Sequence, residues 1–173
     1  MRGFTLKAVV TAGFFCLAGA AHAKMEWLGH ADNWWIGWES EDDGPYCALN
    51  WIAGGRVVSF MVGANHKMLL AFQKDSWKIP ANTESTVTTR LLPDPLQVRQ
   101  RNDKALVVHD AFPGVVEGLL NALSVTPVAF QFKGNEGEWT VSKMDNFALN
   151  SASRECESRL EALPAGASDA QPF

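Results

Sequence analysis

Apolar residues recur at every second position along much of this chain. That spacing commits it to β-strands, because strand side chains alternate between two faces. Trp34, Ile36 and Trp38 fall on one face of an extended segment, and Trp35, Gly37 and Glu39 on the other. Asp42-Asp43-Gly44 supplies a tight turn, since Asp-Gly tolerates the positive φ that short hairpins need. Tyr46–Ile52 returns as a second strand, Ala53-Gly54-Gly55-Arg56 turns again, and Val57–Val62 follows as a third. Met68–Gln73 and the Thr-rich Ser85–Leu92 read as two more strands. Leu96–Arg101 and Ala105–His109 form a hairpin about Asn102-Asp103, and Val128–Phe132 with Glu138–Ser142 a last pair bent by Gly134 and Gly137. Trp27 is placed ahead of the first strand.

Two segments change period. After Pro113-Gly114, the residues Val115, Val116, Leu119, Leu120 and Leu123 recur at helical spacing. Asp145 can cap a second helix, whose inward stripe is read as Ala148, Ala152, Cys156 and Leu160, four residues apart. The expected fold is therefore mainly β, bordering on α+β: one antiparallel domain over residues 24–163, sandwich or barrel-like, with two short helices. Residues 164–173, small and polar after Pro164, read as a disordered tail.

The first 23 residues read as an export signal. Arg2 and Lys7 give a basic start, Ala8–Gly19 is an apolar run of 12 residues, and Ala21-His22-Ala23 fits a cleavage pattern that cuts between Ala23 and Lys24. A permanent span needs about 20 apolar residues, so no stable membrane anchor is expected after cleavage. Phe14 and Phe15 before Cys16 do not fit a lipid-acceptor site.

Cleavage leaves two cysteines, Cys47 and Cys156, in a chain bound for an oxidising compartment. An even pair in that setting reads as a disulfide. It would close a loop of 109 residues and tie the second helix to an early strand.

Arg2 and Lys7 leave with the signal while all 19 acidic residues stay. The net charge moves from −4 to −6, which argues against a nucleic-acid partner. Glu39-Ser40-Glu41-Asp42-Asp43-Gly44 superficially resembles the start of a calcium loop, but Asn50 stands where a bidentate Glu is needed, so the segment reads as a solvated hairpin tip. His30, His66 and His109 are too dispersed for a zinc site, and His109 and Asp110 point to opposite strand faces. There is no G-x-S-x-G elbow, Walker loop or G-x-G-x-x-G. No catalytic residue, metal or cofactor is assigned, and the chain is expected not to be an enzyme.

Tryptophan is the unusual element. Trp27, Trp34, Trp35, Trp38 and Trp51 lie close together in sequence, and Trp34, Trp38 and Trp51 are expected to fill the core. Trp35 faces the other way, which makes it the main candidate for a contact surface. Arg99 and Arg101, opposite Val98, form a second candidate patch, for an anionic partner.

The order of elements resembles the invasion-associated locus B family of exported proteins from Gram-negative bacteria. The likeness runs from Tyr46 to Cys156. It is carried by Trp77-Lys78-Ile79-Pro80-Ala81-Asn82, by the helix Val115–Leu123 feeding Val128–Phe132, and by Trp139-Thr140-Val141 running into Phe147-Ala148-Leu149. The family typically has additional cysteines near the start and in the middle, which this chain lacks. The resemblance implies a periplasmic β-rich module associated with host interaction or the envelope, with no catalytic residues to carry over. The expected function is a non-enzymatic periplasmic binding or interaction protein with a protein or envelope partner. The alternative is an inhibitor or immunity protein for an envelope hydrolase, presenting a rigid loop such as Asp42–Pro45 or Asp75–Asn82.

Overall fold

The computed structural model describes residues 25–41, 44–63, 67–108 and 113–163. The expected signal (residues 1–23) with its Ala23–Lys24 junction, the expected turn residues Asp42 and Asp43, His66, His109, Asp110 and the expected tail from Pro164 lie outside them. In chain order the elements are β1 (Glu26–Ala31), β2 (Trp34–Glu41), β3 (Gly44–Ala53), β4 (Arg56–Gly63), β5 (Met68–Lys74), β6 (Glu84–Thr88), β7 (Leu96–Asn102), β8 (Ala105–Val108), α1 (Pro113–Leu123), β9 (Val128–Phe132), β10 (Glu138–Val141) and α2 (Asn146–Glu161).

All ten strands belong to one antiparallel sheet in the order β1-β2-β3-β4-β5-β8-β7-β6-β9-β10. The first five form a meander of neighbouring hairpins. Gly54 and Gly55, at φ 58° and 71°, make the two-residue turn between β3 and β4, where both positions need the left-handed region. The registers put Trp34, Trp51, Val58 and Phe72 in a row across β2 to β5.

That row belongs to the inner face. The sheet curls until its two ends meet over one core: Phe72 of β5 packs edge-on against Phe130 and Phe132 of β9, at 5.2 and 5.1 Å between centroids. Beyond β10, the Ser142 and Lys143 carbonyls accept from the Trp34 indole at 3.2 and 3.3 Å, and Ser142 Oγ accepts from the Trp51 indole at 3.0 Å. Side chains therefore close this seam.

α1 buries Val116, Leu119 and Leu123 in the same core. α2 starts where Asp145 Oδ1 accepts from the Phe147 and Ala148 amides, satisfying two of the free donors at a helix start. It packs on β1. A Cβ at Gly29 would lie 2.8 Å from that of Ala152, so only glycine allows this approach. Farther along, Arg159 donates to both carboxylate oxygens of Glu26, at 2.6 and 3.0 Å. Cys156 is disulfide-bonded to Cys47 of β3, with 5.8 Å between Cα atoms.

Four details depart from the sequence reading. Trp27 lies inside a strand, β1, not ahead of the first one. β6 stops at Thr88: Leu92 N–H bonds Thr89 O in a turn, and Pro93 and Pro95 cannot donate to a ladder. The buried stripe of α2 is Leu149, Ala152 and Cys156, with Ala148 exposed. A helix turns every 3.6 residues, so repeated steps of four rotate off the buried face, and the 3-4 spacing is what packs. Glu39 is buried, not solvated: Tyr46 O–H donates to its carboxylate across the β2–β3 pair.

Glu39 and Tyr46 belong to the outer face, which holds an apolar cluster of its own. Tyr46, Ala48, Met61, Leu69, Ala71 and Val107, on β3, β4, β5 and β8, are buried, with Met25 packed against them.

Candidate functional site

The register of β1 on β2 sets His30 opposite Trp35 and Trp27 opposite Gly37, so three rings share the outer face. His30 stacks on Trp35 with centroids 4.5 Å apart and planes at 22°, and Trp27 meets Trp35 edge-on at 5.5 Å. Trp27 remains 47% exposed and Trp35 is half-buried. The alternation that points Trp34 inward points Trp35 outward, as the sequence implies.

Asn50 stands opposite Trp35 on the next strand. Its Oδ1 accepts from Ser59 Oγ at 2.5 Å, while its Nδ2 has no hydrogen-bond partner, although the residue is only 5% exposed. An unsatisfied buried donor costs about 1–3 kcal/mol, and this nitrogen is closed to solvent. The partly exposed rings suit a partner that stacks or packs on aromatic surface.

Arg99 and Arg101 lie on β7, exposed and far from this group. Arg99 sits opposite Val107 and Glu84 on the outer face, five strand spacings or about 24 Å from β2. Arg101 falls within the register shift between Gln100 and Asn102, so the strict alternation that pairs it with Arg99 is interrupted there. The structure thus gathers Trp35 with Trp27, His30 and Asn50, and leaves the arginines apart.

Sequence reasoning passed over a second polar constellation. Glu136 lies in the β9–β10 connection between Gly134 and Gly137, both at positive φ. Its carboxylate accepts from Lys74 Nζ at 2.7 and 2.9 Å and from the indole N–H groups of Trp77 and Trp139 at 2.9 Å each. Arg56 approaches to 3.9 Å and lies over the Trp139 ring, 5.3 Å from its centroid. These partners are scattered between positions 56 and 139, so no linear motif announces them. One signal was present: two inward tryptophans each needed an acceptor for an indole N–H.

This carboxylate clasps the β9–β10 loop to β4, β5 and the segment after β5. Burial pushes the Glu136 carboxyl up. Hydrogen bonds from Lys74, Trp77 and Trp139, with the Lys74 charge, outweigh burial and hold it below its ordinary value. A depressed native value contributes stability above the ordinary carboxylate range, near 4.3, and that contribution is lost as pH falls through the native value. Urea unfolding followed by tryptophan fluorescence between about pH 5 and pH 2 should therefore show a stability loss from this group. Glu136→Gln, uncharged throughout, should be less stable at neutral pH and lack that part of the acid dependence. Equal acid slopes for the two proteins would overturn the assignment.

Among the described residues, no group of three or more His, Cys, Asp or Glu converges to hold a metal ion. Among them too, no helix is long and apolar enough to cross a membrane. No family model, curated protein or solved structure matches this chain.

Proposed function

We propose that this is an exported, periplasmic, non-enzymatic binding protein, related to the invasion-associated locus B family, that engages a protein or envelope partner through the outer face around Trp35. The observation carrying this reading is the stack of Trp27, His30 and Trp35 on the outer face of the sheet. Core tryptophans in this fold point inward and find acceptors, as Trp34, Trp51, Trp77 and Trp139 do. Rings left on the outside of a sheet whose core is already filled are suited to a contact surface. The export signature of residues 1–23 and the Cys47–Cys156 disulfide support an oxidising compartment.

The test compares processed protein with its Trp35→Ala variant. Both are immobilised and exposed to solubilised envelope fractions, and the captured components are then titrated. The variant should keep its melting temperature within a few degrees and lose about tenfold or more in affinity, as for an aromatic anchor of about 1.4 kcal/mol or more. Unchanged affinity would remove Trp35 from the interface.

A second reading, inhibition of an envelope hydrolase, is favoured by the segment Asp75–Asn82. Its backbone is tied down by Asp75 N–H to Gly55 O, Ile79 N–H to Asp103 O and Asn82 N–H to Gln100 Oε1, while Lys78 and Pro80 are exposed. Stoichiometric loss of hydrolase activity on adding the protein would select it.

A further inference from the structure

The aromatic group on the outer face depends on an irregularity in β1. Trp27 and His30 are three residues apart, so strict alternation would send them to opposite faces of the strand. The pairing of β1 with β2 slips between Trp27 and Gly29, and this shift brings both rings onto Trp35. Leu28, the residue passed over by the register, packs against the inner core. β1 stands at one end of the strand order, so among the described residues its ladder comes from β2 alone. An edge strand held by one neighbour opens at lower cost than the strands inside the sheet.

Contacts from α2 bracket the slip from the inner side. Gly29, just past it, lies against Ala152: a Cβ there would come within 2.8 Å of the Ala152 Cβ. Arg159 holds both carboxylate oxygens of Glu26, the residue before Trp27. Cys156, joined to Cys47, brings its Sγ to 3.5 Å from the carbonyl oxygen of Gly37, the residue paired with Trp27. Trp27 covers Gly37 from the outer side, where a Cβ would sit 3.2 Å from its ring. A hold on one side of the sheet thus fixes which rings emerge on the other.

We propose that Gly29 and Ala152, with the Cys47–Cys156 tie, are positioning residues for the contact surface. Through them α2 locks the slip in β1 and sets Trp27 and His30 against Trp35. This rests on Trp35 as the contact surface and adds what builds that surface: a helix on the opposite side of the sheet, which never touches the partner.

The test uses the oxidised chain of residues 24–173, which contains every described element, with no partner added. Amide exchange across Glu26–Ala31 and the ring-proton resonances of His30 are compared between the wild type, Gly29→Ala, and Gly29→Ala combined with Ala152→Gly. The Cβ added by Gly29→Ala should speed exchange in β1 by about tenfold or more while β4 and β5 keep their protection. The His30 ring protons should move downfield, out of the Trp35 ring current. Removing the Ala152 methyl should return both readouts toward the wild type, although a glycine inside α2 lowers the melting temperature. That reversal against the trend in stability separates positioning from a merely structural role. Cys47→Ser with Cys156→Ser alters no residue of β1 and should reproduce the faster β1 exchange and the His30 shift, so one variant that fails to fold leaves the other. Exchange that rises evenly over all strands, His30 resonances that stay in place, or no reversal by Ala152→Gly would overturn the proposal. Since no partner is present, this outcome is independent of the Trp35→Ala binding test, and the two failures are told apart.

Discussion

Replacing both Cys47 and Cys156 by Ser lowers the melting temperature by about 10–20 °C. The estimate follows from closing a loop of 109 residues, which chain entropy values at about 4.7 kcal/mol. For a domain of this size each kcal/mol is worth about 2–4 °C. The Arg159–Glu26 pair adds little to the hold on α2, since it is at the surface, where solvent screens it; the disulfide acts beside the packing of Leu149 and Ala152. In a chain of residues 24–173, which lacks Cys16, the double variant leaves no lone thiol to cross-link copies, and its melting curve should be the same with and without reductant. Calorimetry of both proteins under both conditions decides the matter. A wild-type curve unmoved by reductant would mean that the sulfurs are not joined in solution.

Trp139→Ala costs about 3–5 kcal/mol, the range for deleting a large buried aromatic. Trp139 is 0% exposed and packs against Phe132 at 4.6 Å, Trp77 at 5.3 Å and Phe72 at 6.3 Å between centroids. The truncation opens a cavity where both ends of the sheet meet, and it takes one of the two indole donors from Glu136. Trp139→Phe separates the two effects: it keeps most of the packing and removes only the N–H. Its urea midpoint should lie between those of the wild type and the alanine variant. Indistinguishable alanine and phenylalanine variants would mean that the hydrogen bond to Glu136, not the packing, dominates. The sequence alone nominates Trp38 for a loss of this size. Trp38 is only half-buried at the rim of the core, so its truncation should cost less than that of Trp139.

What was legible and what was not divides along physical lines. The hairpins from β2 to β5 could be read because each depends on local information: alternation along the strand and Gly54-Gly55 at the turn. The disulfide could be read by arithmetic, since removal of the expected signal would take Cys16 and leave Cys47 and Cys156 to pair. β1 escaped notice because Glu26-Trp27-Leu28-Gly29-His30-Ala31 does not alternate cleanly, and its pairing slips between Trp27 and Gly29. The outer cluster escaped for a different reason. Alternation tempts one to assign one face to water, but the unbroken run Met68-Leu69-Leu70-Ala71-Phe72 carried the warning, because a strand apolar at successive positions is buried on both sides. Trp35 was legible as an outward ring. Its neighbours were not, because Trp27, His30 and Asn50 reach it only through the pairing of three strands. Glu136 lay beyond linear reading altogether, its partners being distributed over β4, β5, β10 and the segment after β5.

The closure of the sheet by indoles bears on how quickly the molecule assembles. Contacts within β1 to β5 join neighbours in sequence and need only short loops, so they can form early. The bonds from Trp34 to Ser142 and Lys143 bridge separations of 108 and 109 residues, and that from Trp51 to Ser142 bridges 91. Bringing such remote positions together is entropically slow until most of the chain is already compact. The seam is therefore expected to form late in folding, after the meander whose hairpins need only short loops.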